Sequence, residues 1–595
     1  MKKIIRFIFF TGIGLLLIYI SLLSLAPSVS VDGAIKLPKF VKTPLGSFIK
    51  EPTTDINELP FKDNVELYQN DDPGSVVVMY VTVRQGNPAD NLDFTWKQIN
   101  DLTTSLDTNN TLVKTGAAEA IVQIGDENGP VPGEVGFGEI APNATIQLRG
   151  SLTSSDAQKS YKIALNQGAG TWRGQSTISL NKHVSDPSRV RNKLNYDLLK
   201  QIPDMVSLRT QFVHLYVRDQ TTDPWGTTFV DYGLFTQVES PNKKFLKNHL
   251  LDPDGQLYKP TEFDFSRYPD QIRLADDSEY SAESFSSILE IKGNKNHTKL
   301  TQMLDDLNNL NIPIQQTFNK YFNADNYFTW LAYNILVGNV NTETQNFYLY
   351  SPHNGTKFYF VAWDNEDTFF RQDREKCCGY RPYYSFEYGV ADYWRSHLAN
   401  RLLREPEYRQ LLDDKINEVM TFLTPERITN LLNIYKPVTE KYALQMPDVL
   451  YFPTTKQGMD SDYSSIPNEV QLNYKLYLES LKTSMPFSLG VPKITDDMLQ
   501  FNWDQSYDFN GQKISYHFIV GKDWEFKEIL SDQTLTDIMN VNIPLLDPGE
   551  YFWQVTATNE SGHVQYPFDK YFDTNGQFHP GIKRFYIMPT GEVLE

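Results

Sequence analysis

The sequence predicts an α+β fold of two lobes, the first β-rich and the second helical, followed by an all-β sandwich, with one transmembrane helix at the N-terminus. Three observations carry this. Strand-length apolar runs crowd residues 75–239, with one helical stretch among them. Helical spacing dominates from about residue 281 to 485, interrupted by a single hairpin. From Val491 short alternating strands recur at sandwich spacing. A chain of 595 residues is too long for one hydrophobic core. The predicted division is an anchor over 1–30, a stalk over 31–60, a two-lobed body over 61–486 and a sandwich with its tail over 487–595.

At the N-terminus, Lys2, Lys3 and Arg6 precede an apolar run from Phe7 to Ala26. Twenty helical residues span about 30 Å, the thickness of a hydrocarbon core. The basic flank stays cytoplasmic, which places the body outside the membrane. A cleaved signal peptide is the competing reading, with Ser28 and Ser30 as small residues for a peptidase, although its apolar core usually runs only about 7–15 residues. Pro27, Pro38, Pro44, Pro52 and Pro60 then mark the stalk.

In the first lobe SVVVMYVTV, from Ser75, reads as a buried strand. Residues 84–140 are polar and rich in Gly, Asn and Asp, apart from a stretch around Trp96, and read as an insertion or irregular lid. ATIQLRG, a Ser/Thr turn and KSYKIAL read as a hairpin. RVRNKLNYDLLKQI reads as a helix, with Val190, Leu194, Leu198 and Ile202 four apart. QFVHLYV and DYGLFTQVE are two further strands.

SFSSILEI, LTQMLDDLNNL and NADNYFTWLAYNILVGN open the helical lobe. Its hairpin is NFYLY, a turn at SPHNGT, then KFYFVAWD. Helices resume with SHLANRLLREPEYRQLLDDKINEVMTFL. In the tail, LQFNWDQS, ISYHFIVGK and GEYFWQVTATNESG are strands. The last resembles strand F of a fibronectin type III domain, with Tyr551, Trp553 and Val555 turned inward.

The net charge of -19 argues against nucleic acid as a partner, because phosphate neutralisation needs clustered Lys and Arg. It suits a cation site or a basic partner, and it also serves solubility. Cys377 and Cys378 are adjacent and are the two cysteines of the chain, so no disulfide framework exists. No His lies close enough in sequence to make them a zinc site. Trp172, Trp225 and Trp363 could form a sugar platform; core packing is the competing reading.

The chemistry centres on the hairpin. Asn346 precedes its first strand and Asp364 ends its second, so antiparallel pairing brings both to one end. An amide oxygen beside a carboxylate, with Glu366 and Asp367 adjacent, suits Mg²⁺, which takes oxygen ligands. An exposed acidic turn is the alternative. Lys159 and Lys162 are three apart at a strand and face opposite ways, so one of them is solvated. The order of strand, turn, Lys-bearing strand, helix, two strands and a helical lobe with one hairpin is that of phosphoryl-transferring kinases.

The blocks IQLRGSLTSSDAQKSYKIAL, RVRNKLNYDLL, GLFTQVESPNKKFL, GNVNTETQNFYLY and FYFVAWDNEDTF resemble, in order, those of the spore-coat CotH kinases, an atypical branch of the protein-kinase-like fold. The resemblance covers about residues 75 to 480. It implies binding of ATP with Mg²⁺ (or Mn²⁺) and transfer of phosphate to Ser or Thr of a secreted, surface or spore-coat protein. It assigns phosphate contacts to the turn after Arg149 and Gly150, which begins at Ser151, and to Lys159, with Lys162 as the neighbouring candidate. Asn346, Asp364 and Glu366 would hold metal. The body would stand outside the cell membrane on its anchor, or be secreted or part of the spore surface if the N-terminus is cleaved.

Two positions depart from the family pattern. Its catalytic Asp falls five residues before Asn346, where this chain has Asn341, and an amide cannot accept the substrate proton. General-base help is typically worth about 10²–10⁴-fold. Glu343, two residues on, is the candidate to replace it. Glu366 stands where the family has a second Asp, which keeps a carboxylate with a longer reach. Two functions therefore remain: an exported protein kinase, and a catalytically impaired relative serving as an assembly or adhesion scaffold. A carbohydrate-active enzyme is disfavoured, because no motif places a carboxylate pair.

Overall fold

The computed structural model of the chain describes residues 57, 60–102, 116–150, 152–340, 342–370 and 384–595. The apolar run 7–26, most of the stalk and the pair Cys377–Cys378 lie outside them. Among the described residues no helix is long and apolar enough to cross a membrane.

The fold is mixed α+β. Strands β1 (Val76–Arg84), β2 (Ala117–Asp126), β3 (Gly129–Pro130), β4 (Ala144–Arg149), β5 (Ser160–Leu165), β6 (Thr177–Asn181), β7 (Thr210–Asp219) and β8 (Val230–Glu239) form one sheet in the order β1-β7-β8-β6-β5-β4-β2-β3. β1 pairs with β7 in parallel and with β2 antiparallel, Val81 opposite Val122, so the sheet closes on itself. Closure leaves no long unpaired edge. Strand side chains alternate, and one set fills the interior: Met79, Val81, Val122, Ile146, Tyr161, Ile163, Leu180, Val213 and Phe235 share this core.

The closing strand corrects the expectation of an irregular lid over residues 84–140. AAEAIVQIGD is β2, buried at Ala118, Ala120, Val122 and Ile124, while Glu119 and Gln123 lie on the other face at intermediate exposure. Its small alanines and alternate polar residues hide a half-buried strand inside a polar stretch. The helix Trp96–Asp101 packs here too, with the Trp96 ring 4.9 Å from that of Tyr161.

The helix Arg191–Leu199 is buried at every position, not only along its apolar stripe. Its cations are matched inside. Arg191 meets Asp186 at 2.6 Å and Asp462 at 2.5 Å, and Lys193 meets Asp197 at 2.9 Å. Paired charges can be buried; lone ones cannot.

The second part is built on a four-stranded sheet, order β10-β9-β11-β12, from β9 (Gln256–Pro260), β10 (Leu289–Ile291), β11 (Phe347–Ser351) and β12 (Tyr359–Ala362). Of these the sequence reading had only the β11–β12 hairpin, with Phe347 opposite Ala362. Helices surround the sheet in a shared core. Ala324–Val337 is central and buried at every residue from Asn326 on. The long helical stretch after Ser396 is two helices, His397–Leu403 and Pro406–Phe422, because Pro406 cannot continue the first and instead starts the second.

Two further sheets close the chain. One is β13 (Lys493–Thr495), β14 (Met498–Asn502) and β17 (Asn540–Pro544). The other is β15 (Ile514–Gly521), β16 (Ile529–Thr536), β18 (Gly549–Asn559), β19 (Val564–Gln565), β22 (Ile582–Ile587) and β23 (Val593–Leu594). β20 (Lys570–Phe572) and β21 (Phe578–Pro580) pair beside them. Phe501, Phe518, Trp553, Val555 and Phe585 form the core that the two larger sheets share. Tyr551 donates its hydroxyl to the Asp547 carbonyl at 2.7 Å.

Candidate functional site

The outward face of β4 to β6 is polar. Arg149 stands opposite Ser160, and Lys162 lies between Gln147 and Ser179. Arg149 donates to Asn181 Oδ1 and places its guanidinium 5.5 Å from the centre of the Trp363 ring. That contact brings the barrel surface to the end of β12, where Asp364 follows.

The loop 364–369 is held from several sides. The Asp364 N–H donates to Tyr196 Oη at 3.1 Å. Asn195 Nδ2 donates to the Asn365 carbonyl at 2.9 Å and to Thr368 Oγ1 at 2.6 Å. Arg191 donates to the Phe369 carbonyl at 3.1 Å. Asn339 Nδ2 donates to Asn365 Oδ1 at 3.0 Å. The buried helix is therefore the splint of this loop. Asn346 and Asp364 flank the hairpin at one end, and both hold positive φ, 59° and 55°. Asn and Asp tolerate that region better than most residues, and backbone strain concentrates at functional sites.

Burial and the neighbouring Glu366 carboxylate push Asp364 up to about 6, against the pull of Arg149, Lys259 and His183. Burial also opposes ionisation of Glu366, but the 2.7 Å hydrogen bond to His183 Nδ1, with Arg149 nearby, holds its carboxyl below the usual range. Two carboxylates thus lean on each other inside a ring of cations. Lys162 is held below its usual value by burial and by Lys292, with Glu290 opposing.

The other expected residues divide. Gly150 follows β4 at φ 88°, a conformation suited to glycine. Ser151 and Asn341 lie outside the described residues. Lys159 donates to the Ser154 carbonyl at 2.5 Å, so its ammonium closes its own turn, while Lys162 is on the face shared with Arg149. Glu343 has other neighbours. Its pKa is pushed up to about 7 by burial; Arg395, 3.9 Å away, and Lys570 lower it, and Glu387 and Glu262 raise it. The charges that weigh most on Glu343 differ from those that weigh most on Asp364. Trp172 and Trp363 are buried and Trp225 is exposed, so no three-tryptophan platform forms.

Sequence reasoning missed Asn181, His183, Lys259 and Asp448. Asn181 and His183 follow from β6, a strand too short to stand out. Lys259 lies on the unread strand β9. Asp448 opens a single 3-10 turn, Asp448–Tyr451, and it pairs with the buried Lys182 at 2.7 Å and accepts from Gln158 Nε2 at 2.9 Å and from the Leu234 N–H at 2.9 Å. No local pattern could have signalled that.

The donor set suits a hard cation. Asp364, Glu366 and the Asn346 amide offer oxygen, and the buried Asn339 Oδ1 nearby has no hydrogen-bond partner. Among the described residues no group of three or more His, Cys, Asp or Glu is placed to hold a metal. A cation here would rest on two carboxylates and lean on amide, phosphate or water oxygens, as Mg²⁺ does.

A family model described as CotH kinase protein matches residues 146–477, more than half of the 595 residues. Inner spore coat protein H of Bacillus subtilis (strain 168) is 25% identical over 307 residues, covering 50% of this chain and 77% of the relative. A solved structure of the Shewanella oneidensis MR-1 toxin–antitoxin system HipA, HipB and its operator DNA is similar over 57% of this chain and 65% of that one. Its identity is 12% and its TM-score 0.23, too slight a likeness to add to the fold. The chain belongs to the CotH kinase family.

Proposed function

We propose, from membership of that family and the geometry of the cleft, that this protein is an ATP-dependent protein kinase acting on Ser or Thr of secreted, surface or spore-coat proteins. The single observation that carries the reading is the reach of Arg149 from the barrel over Trp363, beside Asp364. It supports the reading because an arginine near the two carboxylates is the residue type that binds phosphate.

In this reading Arg149, Lys162 and the turn after Gly150 bind the phosphates of ATP, and Asn346, Asp364 and Glu366 hold Mg²⁺ or Mn²⁺. The metal, when bound, supplies neutralisation of phosphate charge. Tyr196, Asn195 and Asn339 keep the Asp364 loop in register for that task. Asn341 can orient the substrate hydroxyl but cannot take its proton. The body acts outside the cytoplasm, anchored by residues 7–26 or released by cleavage, and the likeness of GEYFWQVTATNESG to a fibronectin type III strand gives the C-terminal sheets a spacing or binding role. The Tyr551 hydroxyl bonded four residues upstream supports that likeness.

A second reading, a catalytically impaired coat or surface scaffold, is favoured by Asn341, whose amide cannot take the substrate proton, and by Glu343 facing Arg395 at 3.9 Å. Purified protein incubated with labelled ATP, Mg²⁺ or Mn²⁺ and a Ser/Thr-rich acceptor decides between them. Transfer by the native chain supports the kinase, with Asn341→Asp raising it about 10²-fold or more. No transfer by either protein, despite bound ATP, supports the scaffold.

A further inference from the structure

We propose that the C-terminal sheets are a positioning part of the candidate site, acting through residues 384–397 on the loop that holds Asn339, Thr342 and Glu343. The segment lies between the two. On the loop side, the buried Tyr393 shares a hydrogen bond with Thr342 Oγ1 at 2.6 Å and donates to the Asn339 carbonyl at 3.4 Å. Asn339 in turn holds Asn365, the neighbour of Asp364, at 3.0 Å. Arg395 reaches Glu343 at 3.9 Å.

On the other side the same segment meets the sheets. Trp394 stacks on Tyr507 at 5.6 Å and meets Phe509 edge-on at 5.6 Å, both in the connection between β14 and β15. Arg404 lies over Trp394 and over Tyr507, at 5.3 and 4.6 Å. Arg395 lies 5.0 Å from the Phe568 ring, and Ser385 Oγ donates to Gln565 Oε1 at 2.6 Å. Tyr507, Phe509 and Phe568 pack against the helical core itself. Aromatic and cation–π contacts of this kind add to the burial at the seam, so it is firm rather than hinged. A path of packed and hydrogen-bonded side chains thus runs from Tyr507 through Trp394 and Tyr393 to Asn339, Asn365 and the start of the metal loop. Tyr393 is its positioning residue, and it touches no reacting atom.

The consequence for transfer rests on the kinase reading; the mechanical coupling does not. The test is hydrogen exchange of the full chain with two single variants, Tyr393→Phe, which keeps the ring and removes the hydroxyl, and Tyr507→Ala. Each should raise exchange at the Asn339, Thr342 and Glu343 amides about tenfold, with β11 and β12 unchanged. Unchanged loop exchange in Tyr507→Ala overturns the proposal. If Tyr507→Ala loosens β15 and β18 as well, Arg404→Ala replaces it; a threefold rise in the loop supports the coupling and no rise refutes it. In an active protein Tyr393→Phe should lower kcat and leave KM for ATP unaltered, whereas a rise in KM alone counts against positioning. Absence of transfer from every protein defeats the kinase reading while the exchange data still decide this one.

Discussion

Asp364 and Glu343 are two of the carboxylates whose pKa values burial raises in this molecule, and they sit in different company. Asp364 faces Glu366 but is flanked by Arg149, Lys259 and His183, and its backbone is pinned by Tyr196. Glu343 lies among Glu262, Glu387, Arg395 and Lys570, and of these Lys570 begins a strand of the C-terminal sheets. Burial is the first cause of both shifts. The difference lies in what surrounds them. Around Asp364, Arg149 of the barrel and Lys259 of β9 meet a second carboxylate, the arrangement on which the proposed metal and phosphate sites rest. Around Glu343, the charges belong to a seam between two parts of the protein. A raised pKa marks a strained carboxylate; the neighbours decide whether the strain serves a ligand or a contact.

The largest expected effect separates the two directly. Asp364→Ala should abolish the thermal shift that ATP produces in the presence of Mg²⁺ or Mn²⁺, a loss of affinity of at least about 100-fold, about 3 kcal/mol. Glu343→Ala should leave the shift in place. Equal loss from both would erase the distinction. The next effect concerns the splint. Arg191→Leu leaves Asp186 and Asp462 buried without their cation, which typically costs about 3–5 kcal/mol, and it frees the Phe369 carbonyl at the end of the 364–369 loop. Urea unfolding should show that loss, and nucleotide binding should weaken more than in a variant equally destabilised within the C-terminal sheets.

How much of this the sequence disclosed depends on whether the signal was local. The β11–β12 hairpin, the β4–β5 hairpin and the helix at Arg191 were legible because each declares its period within a few residues. Asn346 and Asp364 followed from the hairpin alone. β2 was not legible, because its alanines bury little area and its alternate Glu and Gln read as a loop. The partition of the lysines was half legible. Strand parity set Lys159 and Lys162 on opposite faces, but only the fold shows that Lys162 shares its face with Arg149. Asp448 and Lys182 were beyond reach, since 266 positions of chain separate them and nothing at either end advertises the pair. The different neighbours of Glu343 and Asp364 are of the same sort, a matter of tertiary placement.

A third buried site shows the sign that a cation gives, and sharpens the contrast with the two carboxylates. His249 is fully buried, with Asp63 at 2.5 Å on Nδ1 and Glu239 at 3.0 Å on Nε2. Burial lowers its pKa, but these two hydrogen bonds prevail and hold it at about 9. The folded value lies above the ordinary 6.5. The stabilisation is therefore fully present below about pH 6.5 and is lost as pH rises through 9, a change of about 3 kcal/mol. Stability measured between pH 6 and 10 should fall accordingly, and His249→Phe should flatten that part of the curve.

The smallest effect tests the seam. Glu343 is an acid whose folded pKa, about 7, lies above its ordinary 4.5, so the folded state holds its proton more tightly than the unfolded chain does. Stability then decreases as pH climbs from about 4.5 through 7, the reverse of the usual carboxylate, whose pKa is depressed by folding. Glu343→Gln removes the titration while keeping size and hydrogen-bonding capacity. It should match the native protein at pH 5 and exceed it by about 1 kcal/mol at pH 8, the modest figure reflecting partial exposure and the loss of the Arg395 attraction. In the same protein, phosphate transfer should persist at its native level, because the amide keeps the size and hydrogen bonding of the side chain at the seam and with them the position of the loop. A protein that gains stability and keeps transfer places Glu343 outside the chemistry. One that loses transfer, with stability and ATP binding intact, makes Glu343 the base and merges the two neighbourhoods into a single site.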